Sequence, residues 1–319
     1  METITQNIME RVANGHVWLG DCESLPMADD GVDLVFGSPP YEAARTYGIG
    51  FNLKGDAWVE WAADRFMEHL RVCKGLVAWV VEGQTRQFRY SCAPVLLMAE
   101  LHRRGVKLRK PPVFHRVGIP GSGGPDWLRN DWEFIVCGTK HGKLPWSDNT
   151  AMGHTPKYAS GGACTNQTKD GRVRDAFGFS GHGGRGRHAN GDRKKPRPIQ
   201  ATRGTNNGDA KTEAKYAHPK KANPGNVIKC LVGGGVMGSK LAHENEAPFP
   251  EALAEFFVRS FCPPNGIVLD PFTGSGTTPA AAEKAGRRWI GVDIRESQIE
   301  LTKRRVAEAT AHLERTAKK

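Results

Sequence analysis

The chain has 319 residues and a formal net charge of +11. This length exceeds that of an average single domain, so we expect one large domain with an insertion. The sequence has no apolar stretch long enough to cross a bilayer, which disfavours a membrane protein. It has no Cys-x-x-Cys pair, which disfavours a disulfide framework and a metal site and predicts a reduced cytoplasmic protein.

Strands and helices are predicted to alternate through the first part of the chain. Short apolar runs indicate the strands, and apolar residues at near-helical spacing indicate the helices. The strands are expected over 16–19, 32–36, 76–81 and 133–137, and the helices over 56–72 and 93–104. The run 76–81 is apolar throughout, as expected of a strand covered on both faces of a parallel sheet. Ser38-Pro39-Pro40-Tyr41 directly follows the strand 32–36.

The regular pattern stops at Lys140. Residues 140–222 are rich in Gly, Lys, Arg, Asn and Thr, which predicts a loop-rich insertion. Residues 140–225 contain 17 Lys and Arg against 6 Asp and Glu, so this segment carries the whole net charge of the chain. A localised positive field suits a polyanion, because neutralised phosphates release their counterions. The alternative interpretation is a solubilising basic loop.

Regular elements return after residue 223. They are a helix from Pro250 through Phe261, strands over 267–269 and 289–293, and helices over 278–285 and 297–312. Alternating strands and helices at both ends predict an α/β fold, with one doubly wound, mostly parallel sheet. Residues 1–139 and 223–319 would form the two halves of this domain, and residues 140–222 would be inserted between them.

A glycine-rich turn, Asp270-Pro271-Phe272-Thr273-Gly274-Ser275-Gly276-Thr277-Thr278, links the strand 267–269 to the next helix. Such a turn lets the backbone approach a nucleotide, and the helix start offers free N–H groups. No Lys follows Gly276, which argues against a phosphate-binding P-loop, and Pro279 breaks the dinucleotide pattern. Asp293 ends the following strand, at an offset suited to ribose hydroxyls; its alternative role is to cap the last helix.

Together, the Ser38–Tyr41 and Asp270–Thr278 motifs resemble the two signature motifs of the DNA amino-methyltransferases, which transfer a methyl group from S-adenosylmethionine to a base amino nitrogen. The catalytic motif comes before the cofactor motif, as in the permuted β class. The resemblance leaves out most of the middle of the chain. It implies a circularly permuted, Rossmann-like methyltransferase fold.

The resemblance also implies an S-adenosylmethionine site. Asp21 and Cys22 match the motif whose acid accepts from the adenine amino group. Phe249 and Pro250 resemble the motif around the methionine end, where the family more often has His-Pro. The other implied cofactor residues are Asp270, Pro271, Phe272, Gly274, Ser275, Gly276, Thr277, Thr278 and Asp293.

In such an enzyme, Ser38, Pro39, Pro40 and Tyr41 would be the catalytic residues. An exocyclic amine is conjugated with its ring, and acceptors that hold its hydrogens make it a better nucleophile. The Ser38 side chain and the Pro39 carbonyl are the candidate acceptors, and the prolines fix the backbone. Tyr41 would stack on a base turned out of the duplex. Taken alone, the motif is equally consistent with a plain turn.

The resemblance leaves the target base open. Family members with Ser-Pro-Pro-Tyr act more often on cytosine N4, whereas adenine methylation is the commoner bacterial modification, and we place adenine N6 slightly ahead. A cytosine-C5 enzyme usually has a Pro-Cys pair, which this chain lacks. The alternatives are an RNA or protein-glutamine methyltransferase, disfavoured by the motif order, and a catalytically silent DNA-binding regulator, disfavoured by two intact motifs.

The expected partner is double-stranded DNA, in the cytoplasm of a bacterium or a phage-infected cell. Arg45 lies in a segment that resembles the loop following this motif in family members, and the resemblance implies a phosphate contact for it. The other predicted DNA contacts lie in the basic insertion and are Arg185, Arg187, Arg193, Lys194, Lys195 and Arg197. A homodimer is a further expectation, and the sequence leaves open whether a nuclease accompanies the protein.

Overall fold

The computed structural model describes residues 8–42, 50–119, 123–155, 221–233 and 235–317. The strands are β1 (Ile8–Val12), β2 (Gly15–Leu19), β3 (Val32–Gly37), β4 (Cys73–Val81), β5 (Thr85–Arg86), β6 (Arg89–Tyr90), β7 (Lys107–Leu108), β8 (Val113–Val117), β9 (Trp132–Thr139), β10 (Val227–Leu231), β11 (Ile267–Asp270) and β12 (Arg288–Asp293). The α-helices are α1 (Gly55–Val72), α2 (Ala93–Arg103), α3 (Glu251–Phe261), α4 (Thr277–Lys284) and α5 (Glu296–Ala317). None of the helices in these ranges is long and apolar enough to cross a membrane.

One sheet contains strands from both ends of the chain, in the order β1-β2-β12-β11-β3-β4-β9-β8-β10, with β7 beside β9. The five central strands, β2, β12, β11, β3 and β4, are parallel to one another. β11 lies beside β3 with Val268 opposite Leu34, and the Ile267 backbone N–H donates to the Asp33 carboxylate at 2.9 Å. The predicted mostly parallel, doubly wound sheet is therefore confirmed.

Helices cover both faces of this sheet. Trp58 and Phe66 of α1 and Leu97 of α2 pack in one hydrophobic cluster with Val77 and Trp79 of β4. The intervening β4 residues, Ala78 and Val80, lie in the other cluster with Phe257 of α3 and Val306 of α5. Successive side chains of a strand point to opposite faces, so a strand buried on both faces must be apolar at nearly every position. This explains the unbroken apolar run that predicted β4.

The chain forms two compact units. One comprises Met1–Met152 and Pro224–Lys319, and the other comprises Gly153–Asn223. Residues 140–152 thus belong to the first unit, whereas we expected the insertion to begin at Lys140. Within this stretch the Asp148 N–H donates to the Ser260 carbonyl at 2.9 Å, which fixes an irregular segment that has no apolar periodicity. The role of the second unit in DNA recognition stays a prediction.

Several elements were not predicted. β8 and β10 extend the sheet beyond β9, β1 adds an edge strand beside β2, and β5 and β6 form a separate hairpin. The helix expected from Pro250 begins at Glu251, because Pro250 has extended backbone angles and lies at the N-cap position.

Candidate functional site

A cleft opens at the carboxyl ends of β3 and β11, where the two halves of the chain meet. From β3 the chain continues through α1 to β4, and from β11 it continues through α4 to β12. β4 and β12 flank the β3–β11 pair on opposite sides within the sheet. In doubly wound sheets, ligands bind at this kind of switch point. A Cβ atom on Gly37 would lie 2.5 Å from Asp270 Oδ1, so a glycine is needed for the two strand ends to come this close.

Residues from both predicted motifs line this cleft. All four residues of Ser38–Tyr41 line it, and so do most of the predicted cofactor residues. The cofactor residues that line it are Asp21, Cys22, Phe249, Pro271, Phe272, Gly274, Ser275, Thr277 and Asp293. The other four are buried behind its surface, and they are Pro250, Asp270, Gly276 and Thr278. The fold therefore brings together residues that lie more than 200 positions apart in the sequence.

The glycine-rich turn is held by the next strand and the last helix. The Gly274 N–H donates to Asp293 Oδ2 at 3.1 Å, and the Thr302 hydroxyl donates to the Gly274 carbonyl at 3.1 Å. Gly276 has a φ of 74°, and a Cβ atom there would lie 2.9 Å from Thr302 Cα. Both the left-handed backbone and the close approach to α5 thus require glycine at 276.

Asp293 faces the cleft from the end of β12. Burial raises the pKa of its carboxyl, although the Arg295 N–H donates to Oδ1 at 3.0 Å and favours the charged form. Each carboxylate oxygen has two lone pairs, so both oxygens can accept a further hydrogen bond from a ligand. The carboxylate is thus placed to stabilise the turn and to bind a ligand hydroxyl at the same time.

Asp270 lies beneath the glycine-rich turn. Its side chain is buried, and Oδ1 accepts from the Phe272 N–H at 3.1 Å. Burial raises the pKa of Asp270 to about 7, and the neighbouring Asp293 charge acts in the same direction. The structure therefore gives this acid a position that supports the backbone of the turn, behind the surface that a ligand would touch.

Backbone and side-chain hydrogen bonds hold the Ser38–Tyr41 motif rigidly. The Ser38 hydroxyl donates to the Val80 carbonyl of β4 at 3.1 Å. The Trp58 indole N–H, from α1, donates to the Pro40 carbonyl at 2.9 Å. Because the Ser38 hydrogen is directed at Val80, the lone pairs of its oxygen remain to accept hydrogen bonds. Ser38 is thus suited to accept from an amino group in the cleft.

Tyr41 is oriented by a carboxylate that the sequence did not reveal. Its hydroxyl donates to Glu133 Oε2 of β9 at 2.8 Å, and Arg116 of β8 pairs with the other oxygen of Glu133 at 3.0 Å. These partners come from strands at the far side of β4, and no local sequence signal connects them with the motif. Together they fix the position of the Tyr41 ring at the cleft.

An aromatic wall from α1 completes the site. Trp61 packs edge-on against Phe51 at 4.8 Å, and Arg65 lies 4.4 Å from the Trp61 ring centroid. Arg65 also pairs with Asp21 at 3.3 Å. We predicted the helix from its apolar spacing but not these two site residues. Trp61 and Arg65 are four positions apart and share one helix face, and this aromatic–cation pairing is the signal that could have identified them.

Two further side chains here are not reactive. Burial raises the pKa of the Cys22 thiol, so the thiol is protonated and not nucleophilic at neutral pH. Burial also lowers the pKa of His69 to about 3, and its neutral ring packs against Trp79 and Phe272 behind the cleft. The chemistry of the site therefore rests on oxygen acceptors and aromatic rings.

All seven predicted DNA-contacting residues lie outside the described residues. They are Arg45, Arg185, Arg187, Arg193, Lys194, Lys195 and Arg197. Their contacts with DNA stay predictions.

A buried arginine of α5 supports the ligand-facing turn from behind. Arg305 is 1% exposed, and it donates to the Thr277 hydroxyl at 2.7 Å, to Ser275 Oγ at 3.2 Å and to the Met237 carbonyl at 3.1 Å. Its charge is balanced by Glu251 at 3.5 Å. Ser275 and Thr277 face the cleft, so Arg305 couples the shape of the turn to the packing of α5.

We predict that Arg305→Gln lowers the free energy of unfolding by about 2–4 kcal/mol, because the Thr277 hydroxyl and the Met237 carbonyl lose their buried charged donor. The adjacent Arg304→Gln is the matched control. Arg304 is exposed and pairs with Glu244 on the surface, so its loss should cost at most about 1 kcal/mol. Urea denaturation measures both changes. Equal midpoints for the two variants would contradict a supporting role for Arg305.

Known proteins share parts of this sequence. A family model described as DNA methylase, for the N6/N4 methyltransferases, matches residues 32–304. The type II methyltransferase M.ScaI of Streptomyces caespitosus is 36% identical over 86 residues, which are 26% of this chain and 28% of that protein. M.HinfI of Haemophilus influenzae is 39% identical over 69 residues, or 22% and 19% of the two chains. The matched part spans less than a third of either relative.

Solved structures share the fold over nearly the whole chain. PvuII DNA methyltransferase (cytosine-N4-specific) has a TM-score of 0.60 and 17% identity, covering 94% of this chain and 91% of that chain. A Thermus thermophilus protein, TTHA0409, complexed with S-adenosyl-L-methionine, has a TM-score of 0.52 and 20% identity, covering 91% and 92%. At these identities the likeness shows the fold alone. The family model, however, covers most of the chain, and this chain belongs to the N6/N4 DNA methylase family.

Proposed function

We propose that this protein transfers a methyl group from S-adenosylmethionine to an exocyclic amino group of a base in double-stranded DNA. The observation that carries the proposal is the joint lining of one cleft by Ser38–Tyr41 and the glycine-rich turn. Family membership supports it, since the matching model is described as DNA methylase. An RNA or protein-glutamine substrate has no such support among these observations.

The chemical groups that line the cleft are of the kinds that would bind S-adenosylmethionine. The Asp293 carboxylate can accept from ribose hydroxyls, Asp21 is an exposed acid that can accept from the adenine amino group, and Trp61 offers an apolar face. Gly274 presents only backbone atoms to the cleft. When bound, the cofactor supplies a methyl group activated by a sulfonium centre.

The remaining groups in the cleft would bind and orient the base. Ser38, with its hydrogen directed at Val80, would accept from the amino group, and the Tyr41 ring would stack on the base plane. An amine inside a duplex cannot reach this cleft, so the base must turn out of the helix. The same acceptor serves adenine N6 and cytosine N4, and the proposal covers both amines.

The test uses the full chain, S-adenosylmethionine with a labelled methyl group, and plasmid DNA from a host without DNA methyltransferases. Digestion to nucleosides and mass spectrometry should detect N6-methyladenine or N4-methylcytosine, and sequencing should give the methylated context. Labelled 5-methylcytosine would overturn the proposal. Cofactor binding without transfer to any DNA would overturn it in favour of a silent regulator.

The charge distribution gives a separate prediction about DNA affinity. We expect that replacing Arg193, Lys194, Lys195 and Arg197 with glutamine weakens duplex binding and flattens its salt dependence. Each lost phosphate contact should reduce the slope of log K against log salt by about 0.9. Fluorescence anisotropy over a salt series measures this change, and calorimetry should show unchanged S-adenosylmethionine affinity. An unaltered slope would make the basic segment a solubilising loop.

A further inference from the structure

The hairpin that follows β4 displays an aromatic side chain to solvent. β5 and β6 pair through Thr85–Tyr90 and Arg86–Arg89, with Gln87 and Phe88 as the two turn residues. Phe88 is 78% exposed. Gln87 and Phe88 have φ angles of 48° and 62°, and such a turn ordinarily takes Asn-Gly. The structure therefore holds a bulky ring outward, in a backbone conformation unfavourable to it and without packing that would compensate.

The tip of this hairpin is also strongly positive. Arg86 and Arg89 are exposed and lie directly opposite each other, and the segment 85–90 contains no acidic residue. Guanidinium groups recognise phosphate oxygens, whereas a neutral apolar partner would gain nothing from them. Charge and shape together thus suit a nucleic acid.

The base of the hairpin is fixed at the same edge of the sheet as the cleft. The Tyr90 hydroxyl donates to Glu82 Oε1 at 2.8 Å, just beyond the end of β4. The Ser38 hydroxyl contacts Val80 of the same strand, two residues before Glu82. The Tyr90 ring packs so closely on Gly83 that a Cβ atom there would lie 2.7 Å from it. The hairpin is therefore a rigid projection beside the catalytic motif.

We propose that the hairpin 85–90 contacts the DNA duplex next to the target base, with Phe88 inserted into the base stack and Arg86 and Arg89 on the flanking phosphates. The inference rests on the proposed function, because a base that leaves the duplex opens a gap in the stack. An aromatic ring can fill such a gap whatever the sequence, since every base has a stacking face. This site is distinct from the basic insertion.

The experiment compares Phe88→Ala with Phe88→Tyr and Met9→Ala in the full chain. Tyrosine keeps the ring, and Met9 is an exposed apolar residue of the edge strand β1, away from β4. Anisotropy measures binding to a labelled random-sequence duplex. Single-turnover kinetics measure transfer to a duplex with the sequence that the wild type methylates, with the target base either paired or mispaired.

Phe88→Ala should weaken duplex binding and slow transfer to the paired substrate, each about tenfold, while both controls behave like the wild type. The rate defect should shrink on the mispaired substrate, because a mispaired base is easier to extrude. Wild-type affinity and wild-type rates for Phe88→Ala on both substrates would overturn the inference. If Phe88→Ala weakens binding but the wild-type protein transfers no methyl group, the hairpin stands as a DNA contact and the proposed function fails.

Discussion

Replacing Tyr41 with alanine is expected to slow the single-turnover rate of methyl transfer about 100-fold. The ring lines the cleft, and loss of its stacking would let the base move away from the reactive geometry, where small displacements have large effects on rate. Quench-flow with labelled S-adenosylmethionine measures the rate. Calorimetry should show unchanged cofactor affinity, because the glycine-rich turn and Asp293 are untouched.

Tyr41→Phe separates the ring from its hydrogen bond. Phenylalanine keeps the stacking face and loses the bond to Glu133, so we expect a smaller decrease in rate, about tenfold. Glu133→Gln should resemble it, since a neutral amide holds the hydroxyl less strongly than a carboxylate does. If Tyr41→Ala keeps the wild-type rate, the Ser38–Tyr41 motif is not the catalytic motif.

Asp270→Asn is expected to stabilise the protein relative to the wild type, by an amount that increases as the pH rises. The folded pKa of Asp270 is about 7 against an ordinary 3.8, so between these values the folded carboxyl keeps a proton that the unfolded one releases. The favourable contribution of this proton is complete below about pH 4 and is lost as the pH rises through 7. A shift of this size corresponds to roughly 3–5 kcal/mol. Asparagine keeps the acceptor for the Phe272 N–H without a charge.

The measurement is the difference in unfolding free energy between Asp270→Asn and the wild type, at pH 5 and at pH 8. The difference should favour the variant at pH 8 by about 2–3 kcal/mol more than at pH 5. Asp126→Asn, in an exposed loop, is the control for the loss of one carboxyl group. Equal differences at the two pH values would show that Asp270 titrates like an ordinary surface acid.

The sequence predicted the elements whose signals are local. Residues 76–81 of β4 are apolar throughout because both faces of the strand are covered, and the glycine-rich turn is recognisable from its own nine residues. β10 could not be predicted this way. Only Ile228 and Cys230 of this strand are buried, Lys229 interrupts them, and its partner β8 lies more than 100 residues earlier. The hairpin at Phe88 was missed because its turn lacks the usual Asn-Gly.

The same distinction between local signals and tertiary contacts explains which residues of the candidate site were predicted. The motif residues were identified from the sequence, but the side chains that hold them were not. Glu133 contacts Tyr41 only because β9 lies beside β4, and Arg305 contacts Thr277 only because α5 packs behind the turn. The place of Asp270 behind the cleft likewise depends on how β3 and β11 meet. Such partners follow from the tertiary arrangement, which spacing along the chain does not report.

The pairing of β3 with β11 has a consequence for biosynthesis. These neighbouring strands are joined by the Asp33–Ile267 hydrogen bond across 234 positions of sequence. During translation β3 therefore emerges long before the strand that covers one of its edges. Long-range pairing of this kind slows folding and leaves apolar strand edges exposed in the nascent chain, where they can aggregate. We therefore expect a chain with the two motifs in this order to fold slowly and to depend on chaperones during synthesis.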